Sequence, residues 1–159
     1  MVKVFLSIGS NIDAPLHIRS ITQQLSDRFF DVQSSRIYQS ASQGFVADDF
    51  FNLVVSFSTD QSLAQLKKYL RQQEYAHGRP IEAKKCQSRT LDIDILLYGD
   101  TVGCIDGIEL PRNDILQSAY VLRPLSELVG DALHPVLGVS YAHLWQDFRG
   151  DRQLTEVSI

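Results

Sequence analysis

Residues 88–100 read SRTLDIDILLYGD, an apolar run with aspartates at positions 92 and 94. Strand side chains alternate between faces. Leu91, Ile93, Ile95 and Leu97 therefore share one face, and Asp92, Asp94, Leu96 and Tyr98 share the other. The aliphatic row belongs under helices. The two carboxylates then project together from the opposite face, with Cα atoms about 7 Å apart. At that spacing they can converge on one cation or bracket two. Oxygen-only donors suit a hard ion such as Mg²⁺ or Mn²⁺ that keeps waters and takes phosphate oxygens. A polar sheet face turned to solvent would also carry such a pair, so the spacing alone leaves both readings open.

The rest of the chain arranges itself around that strand. Val2 to Gly9 reads as a buried strand ending at the turn GSN, with Asn11 and Asp13 as cap residues and Pro15 in the first helical turn. Ile18, Ile21 and Leu25 recur at helical spacing, giving a helix to about Arg28. Phe30 to Tyr38 and Phe50 to Thr59 are the next strands, the latter rich in β-branched and aromatic residues. Ser62 opens a second helix with the stripe Leu63, Leu66 and Leu70, which stops at Gly78. Arg89 to Tyr98 is the fourth strand. A helix from Asn113 to Val129 and a shorter one from Tyr141 to Phe148 follow. The order β-α-β-β-α-β predicts an α+β fold, a ferredoxin-like sheet with helices on one face and extra C-terminal helices. With 159 residues and no repeat or linker, residues 1–159 are expected to form a single domain.

Composition narrows the function classes. A net charge of −4 argues against nucleic-acid binding, while leaving room for a locally positive pocket. The cysteines, Cys86 and Cys104, form no C-x-x-C pair and lack histidines at ligand spacing, so free thiols are expected. The N-terminal apolar run is too short for a signal peptide, and no run approaches the ~20 residues of a membrane span. A cytoplasmic protein without membrane contact is the expectation.

Two long segments surround the aspartates' strand and its neighbours. Gln39 to Asp49 is polar, and Gly78 to Ser88 is basic and aperiodic; loops of this length commonly bind or move. Arg79, Lys84, Lys85 and Arg89 can bring cations beside the carboxylates, the combination that phosphoryl transfer uses, or belong to a solvated basic turn; composition alone favours neither. No Walker-type loop or dinucleotide fingerprint is present. Asn52 interrupts FFNLVVSF on the face of Phe50, where an amide beside an aromatic ring can read a flat heterocycle or bond a neighbouring loop.

The GSN turn, GFVADDFFNLVV, Glu74 to Arg79, SRTLDIDILLYGD and LPRNDILQSAYVLRPLSEL occur in an order that resembles the 6-hydroxymethyl-7,8-dihydropterin pyrophosphokinase family. The resemblance extends from Val2 to about Pro135. It implies transfer of diphosphate from ATP to the hydroxymethyl-dihydropterin, release of AMP, and two Mg²⁺ ions bridging the triphosphate to Asp92 and Asp94. Arg79 and Arg89 match phosphate-contacting, catalytic arginines. Glu74 and Arg112 match ATP-side positions. Phe50, Asn52 and Tyr120 match pterin-side positions, and the two long segments match mobile loops. A monomer with ATP and pterin as its small-molecule partners is the corresponding expectation.

The chain also departs from that pattern. Cys86-Gln87-Ser88 stands where an aromatic-Gly-Pro is usual, Ile81 where a basic residue is frequent, and Arg112 and Ser118 where His and Arg are usual. A divergent paralogue, binding a pterin-like or nucleotide ligand with weak or altered catalysis, is the alternative those departures keep open.

Overall fold

The computed structural model describes residues 1–40, 49–78 and 90–159. In chain order its elements are β1 (Val2–Ser10), α1 (Ala14–Arg28), β2 (Phe30–Ser34), β3 (Ile37–Ser40), β4 (Phe50–Thr59), α2 (Leu63–Ala76) and β5 (Asp92–Tyr98). They continue with β6 (Gly103–Ile105), β7 (Ile108–Leu110), α3 (Asp114–Gln117), α4 (Ala119–Val129), α5 (Tyr141–Gln146) and β8 (Thr155–Val157). The main sheet runs β5-β1-β4-β3-β8, with β2 also pairing β4, and every one of these pairings is antiparallel. β6 and β7 form a separate hairpin.

The sheet buries both faces. On one, Ile18, Ile21 and Leu25 of α1 and Leu63, Leu66 and Leu70 of α2 pack against Val4, Leu6, Ile8, Leu53, Val55, Phe57, Ile93 and Ile95. On the other, Ile115, Val121, Leu122, Leu125 and Tyr141 pack against Phe5, Val54, Leu96 and Leu97. Helices therefore cover two faces, where the sequence pattern led us to expect one. The physical reason lies in β1 and β4, whose near-continuous apolar runs are those of strands buried on both sides. No helix among the described residues is long and apolar enough to cross a membrane.

Local chemistry explains several boundaries. Ser62 accepts from the Gln65 N–H while the Gln65 side chain accepts from the Ser62 N–H, a complete capping box at the start of α2. Beyond α2, Gly78 takes φ +97°, a left-handed conformation that a Cβ would strain. Asp13 stands at the head of α1 with φ 48° and no side-chain cap bond, so its contribution there is its backbone carbonyl, which accepts from the His17 N–H.

Three strand and helix expectations need correction. The strand expected over Phe30 to Tyr38 is two, because Ser35 leaves the ladder and binds Val54 with both its N–H and its Oγ. The helix expected over Asn113 to Val129 breaks at Ser118, whose backbone is extended (φ −124°, ψ 119°). The fourth strand enters the ladder at Asp92, opposite Gly9, after Thr90 and Leu91, which are not in the strand; Arg89 lies outside the described residues.

Candidate active site

β5 carries the aspartates, and its geometry departs from simple alternation. Gly9 pairs with Asp92, Ser7 with Asp94 and Leu6 with Ile95, but Phe5 pairs with Leu97. Leu96 is the extra residue of a β-bulge, and beyond it the faces exchange. Leu97 joins Leu96 in the second core, while Tyr98 turns to pack on the first. The expected row of Leu91, Ile93, Ile95 and Leu97 thus holds only through Ile95. Asp92 and Asp94 precede the bulge, so their shared face, opposite Ile93 and Ile95, is as expected.

Gly9 sits between two of the site residues. It pairs with Asp92 on one side and with Asn52 on the other. A Cβ at Gly9 would stand 3.0 Å from Asn52 Oδ1 and 3.7 Å from the Phe50 ring. The missing side chain lets the Asn52 amide and the Phe50 ring lie close over β1, next to the strand position of Asp92. The sequence led us to expect a turn at Gly9-Ser10-Asn11, but Gly9 and Ser10 belong to β1, and the register that gives the glycine this place was not legible. Asn52 is buried, and its Nδ2 donates to Ser40 Oγ at 2.8 Å. Ser40 in turn borders a cleft of about 960 Å³, together with Tyr120, Ser118, Asp49 and the Arg152 region of the C-terminal segment. Asn52 and Tyr120 are thereby brought to one side of the sheet through a shared neighbour.

Glu74 and Arg112 flank the aspartates from the other side. Glu74, only 3% exposed, accepts the Ile93 N–H at 2.9 Å and pairs with Arg71 at 3.3 Å. Its carboxylate pins the strand at the residue between Asp92 and Asp94. Arg112 is placed by its backbone N–H, which donates to the Leu96 carbonyl at 2.9 Å, next to the bulge. Its guanidinium Nε donates to Asp114 Oδ2 at 3.0 Å, and Nη2 lies 3.7 Å from Asp94 Oδ1. Burial works against the Arg112 charge, but Asp94, Asp114 and Asp92 more than offset it and raise its pKa.

Arg71, Glu74, Asp94 and Arg112 line a second cavity of about 200 Å³, with Lys67 and Leu70. Arg71 and Lys67 did not figure among the expected site residues. A signal was present: Lys67, Arg71 and Glu74 recur at helical spacing on α2. Arg79 and Arg89, like Ile81, Lys84, Lys85 and Cys86, lie outside the described residues, as do most of the two long segments.

The donor set fits a hard divalent ion. Among the described residues no cluster of three or more His, Cys, Asp or Glu side chains could hold a metal by protein groups alone. Two half-exposed carboxylates on one strand face suit an ion that keeps its waters and completes its shell with phosphate oxygens. The histidines serve elsewhere. His77 bonds the Gln73 carbonyl and Ser20, while His134 is buried and accepts the Val136 and Leu137 N–H groups.

Residues 5–130 match the family model for 7,8-dihydro-6-hydroxymethylpterin-pyrophosphokinase (HPPK). The chain is 31% identical over 141 residues to the 2-amino-4-hydroxy-6-hydroxymethyldihydropteridine pyrophosphokinase of Haemophilus influenzae, covering 85% of this chain and 86% of that protein. It is also 31% identical over 139 residues to the folic acid synthesis protein FOL1 of Dictyostelium discoideum, covering 86% of this chain but only 21% of that longer protein. Its fold is similar to a crystal structure of wild-type Plasmodium falciparum HPPK-DHPS with SDX-DHP (TM-score 0.71, 12% identity), covering 93% of this chain and 44% of that one.

Proposed function

The chain belongs to the 6-hydroxymethyl-7,8-dihydropterin pyrophosphokinase family, and from that premise we propose that it transfers diphosphate from ATP to 6-hydroxymethyl-7,8-dihydropterin, releasing AMP, in folate synthesis. The observation that carries the reading is the register across β1: Gly9 lies between Asp92 on β5 and Asn52 on β4, so the carboxylates and the buried amide share one face of the sheet.

In this reading the hydroxymethyl oxygen of the pterin attacks the β-phosphorus of ATP. A new P–O bond forms, the bond from that phosphorus to the α,β-bridging oxygen breaks, and AMP leaves while the hydroxyl proton passes to solvent. Asp92 and Asp94 would hold Mg²⁺, which neutralises the triphosphate when bound. Glu74 keeps the pair in register by holding the Ile93 N–H. Arg112 and Arg71 present guanidinium donors to the phosphates from the cavity beside Asp94. Asn52 reads the pterin edge from its fixed bond to Ser40, and Phe50 and Tyr120 supply aromatic surface. Arg79 and Arg89 are assigned to the phosphates on the family motif alone. The strand order β5-β1-β4, with β2 and β3 beyond β4, supports the ferredoxin-like reading of the sheet. A single-domain, monomeric, cytoplasmic enzyme that binds neither nucleic acid nor membrane completes the proposal.

The test is AMP release that requires both Mg²⁺ and the hydroxymethyl-dihydropterin. No AMP above background at millimolar substrates overturns the assignment. The second reading, a divergent paralogue with altered turnover, draws on Ser118, an uncharged residue at the break before α4 and beside Tyr120 on the large cleft. The departure at Cys86 separates the two. Under the second reading, Cys86→Trp restores a stacking ring and tightens pterin binding by about 1–3 kcal/mol; unchanged affinity removes that support.

A further inference from the structure

Arg112 is held unequally by its two carboxylates. Its Nε–H bond to Asp114 at 3.0 Å is a full hydrogen bond, whereas Nη2 faces Asp94 at 3.7 Å, beyond hydrogen-bond reach. The guanidinium is thus tethered to α3 and only electrostatically attached to the site. About a third of each side chain in the Arg112–Asp94 pair is exposed, so either partner can exchange the other for a new ion. Arg112 also lines the cavity that contains Asp94 and Arg71, which lets the same guanidinium reach a phosphate placed there without leaving Asp114.

We propose that Arg112 is a resident counter-ion of Asp94: it opposes binding of a divalent cation there without nucleotide and transfers its charge to the triphosphate when nucleotide arrives. The inference rests on the pyrophosphokinase reading of the site. Its consequence is coupling. A lone cation must compete with a fixed positive charge, whereas a cation arriving with a polyphosphate gives that charge a new partner. Arg112 is a positioning residue for the metal and a direct ligand for the phosphate.

Mn²⁺ titration followed by the electron paramagnetic resonance signal of the free ion tests this without turnover. The measurement is made on wild type, Arg112→Gln and Arg112→Lys, each alone and with saturating α,β-methylene-ATP. Without nucleotide, the Gln variant is expected to bind Mn²⁺ about fivefold more tightly than wild type, while the Lys variant stays near wild type. With the nucleotide analogue the order reverses, and the Gln variant binds the metal–nucleotide pair more weakly. Nucleotide-free affinity that is unchanged in the Gln variant, or raised equally in the Lys variant, overturns the counter-ion role. If Mn²⁺ still binds with the analogue in those cases, the metal site itself stands. Absence of Mn²⁺ binding in all three proteins with the analogue removes the pyrophosphokinase reading and this inference together.

Discussion

Replacing Glu74 by leucine isolates the contact that holds the aspartate strand. Among the described residues β5 is an edge strand of the sheet, with β1 as its one ladder neighbour. At Ile93 the N–H partner is Glu74 Oε2, 2.9 Å away, with Glu74 3% and Ile93 7% exposed. Leucine fills a similar volume and offers no acceptor. The lost charge-assisted bond is worth about 1.5–3 kcal/mol, and an orphaned buried N–H costs about 1–3 kcal/mol; the two figures overlap in what they count. The Arg71 pair adds little, because Arg71 is 46% exposed. Extra apolar burial by the leucine offsets part of the loss. A net destabilisation of about 2–3 kcal/mol follows, or roughly 5–10 °C in Tm for a domain of this size. Glu74→Gln retains a carbonyl acceptor and should lose only about 1 kcal/mol. Urea unfolding gives the energies, and hydrogen exchange at the Ile93 amide locates them. A leucine variant within 0.5 kcal/mol of wild type (the ordinary noise of surface changes), or a glutamine variant as damaged as the leucine one, would refute the reasoning.

Three further outcomes are expected. Gly9→Ala brings a Cβ to 3.0 Å from Asn52 Oδ1, so pterin affinity should fall several-fold while nucleotide affinity holds. Its stability stays within about 1 kcal/mol of wild type, since the strand preference for alanine offsets the strained amide, and calorimetric titration of both ligands checks the split. Asp92→Ala should abolish Mg²⁺-dependent AMP release with an unchanged Tm, because Asp92 is half-buried and off the aliphatic row; a grossly unfolded variant would contradict that placement. The Tyr141 phenol is pushed up to about 12, first by burial and then by Asp100. Its contribution to stability is full below about pH 10, the unfolded value, and is lost as pH rises through 12, on the order of 2–3 kcal/mol. Tyr141→Phe should therefore flatten the alkaline loss, read as the slope of urea-unfolding energy between pH 10 and 12; an identical slope would remove Tyr141 from the account.

Features set by neighbours along the chain were legible before the fold was known. The start of α2 at Ser62 follows from its cap chemistry, and the stripes of α1 and α2 and the projection of Asp92 and Asp94 from one face follow from periods of 3.6 and 2 residues. Composition and motif order were enough to bring Glu74, Asn52 and Arg112 into consideration. What they touch was not written locally. The bulge at Leu96 arises only when β5 is laid against β1, where Phe5 selects Leu97 and reverses the alternation downstream. The second helical layer could not be read from the period of β5, because Leu96 and Leu97 are consecutive in sequence and yet both enter that core.

By itself, then, the sequence determined that two carboxylates lie side by side on a strand and which family motif they complete. Tertiary structure decided that Gly9 sits between Asp92 and Asn52, that Glu74 grips the Ile93 N–H, and that Arg112 is tied to Asp114 while resting against Asp94. The physical reason is range. Periodicity and capping act over one or two turns of chain, whereas register and charge pairing depend on which distant segments the two hydrophobic cores bring together.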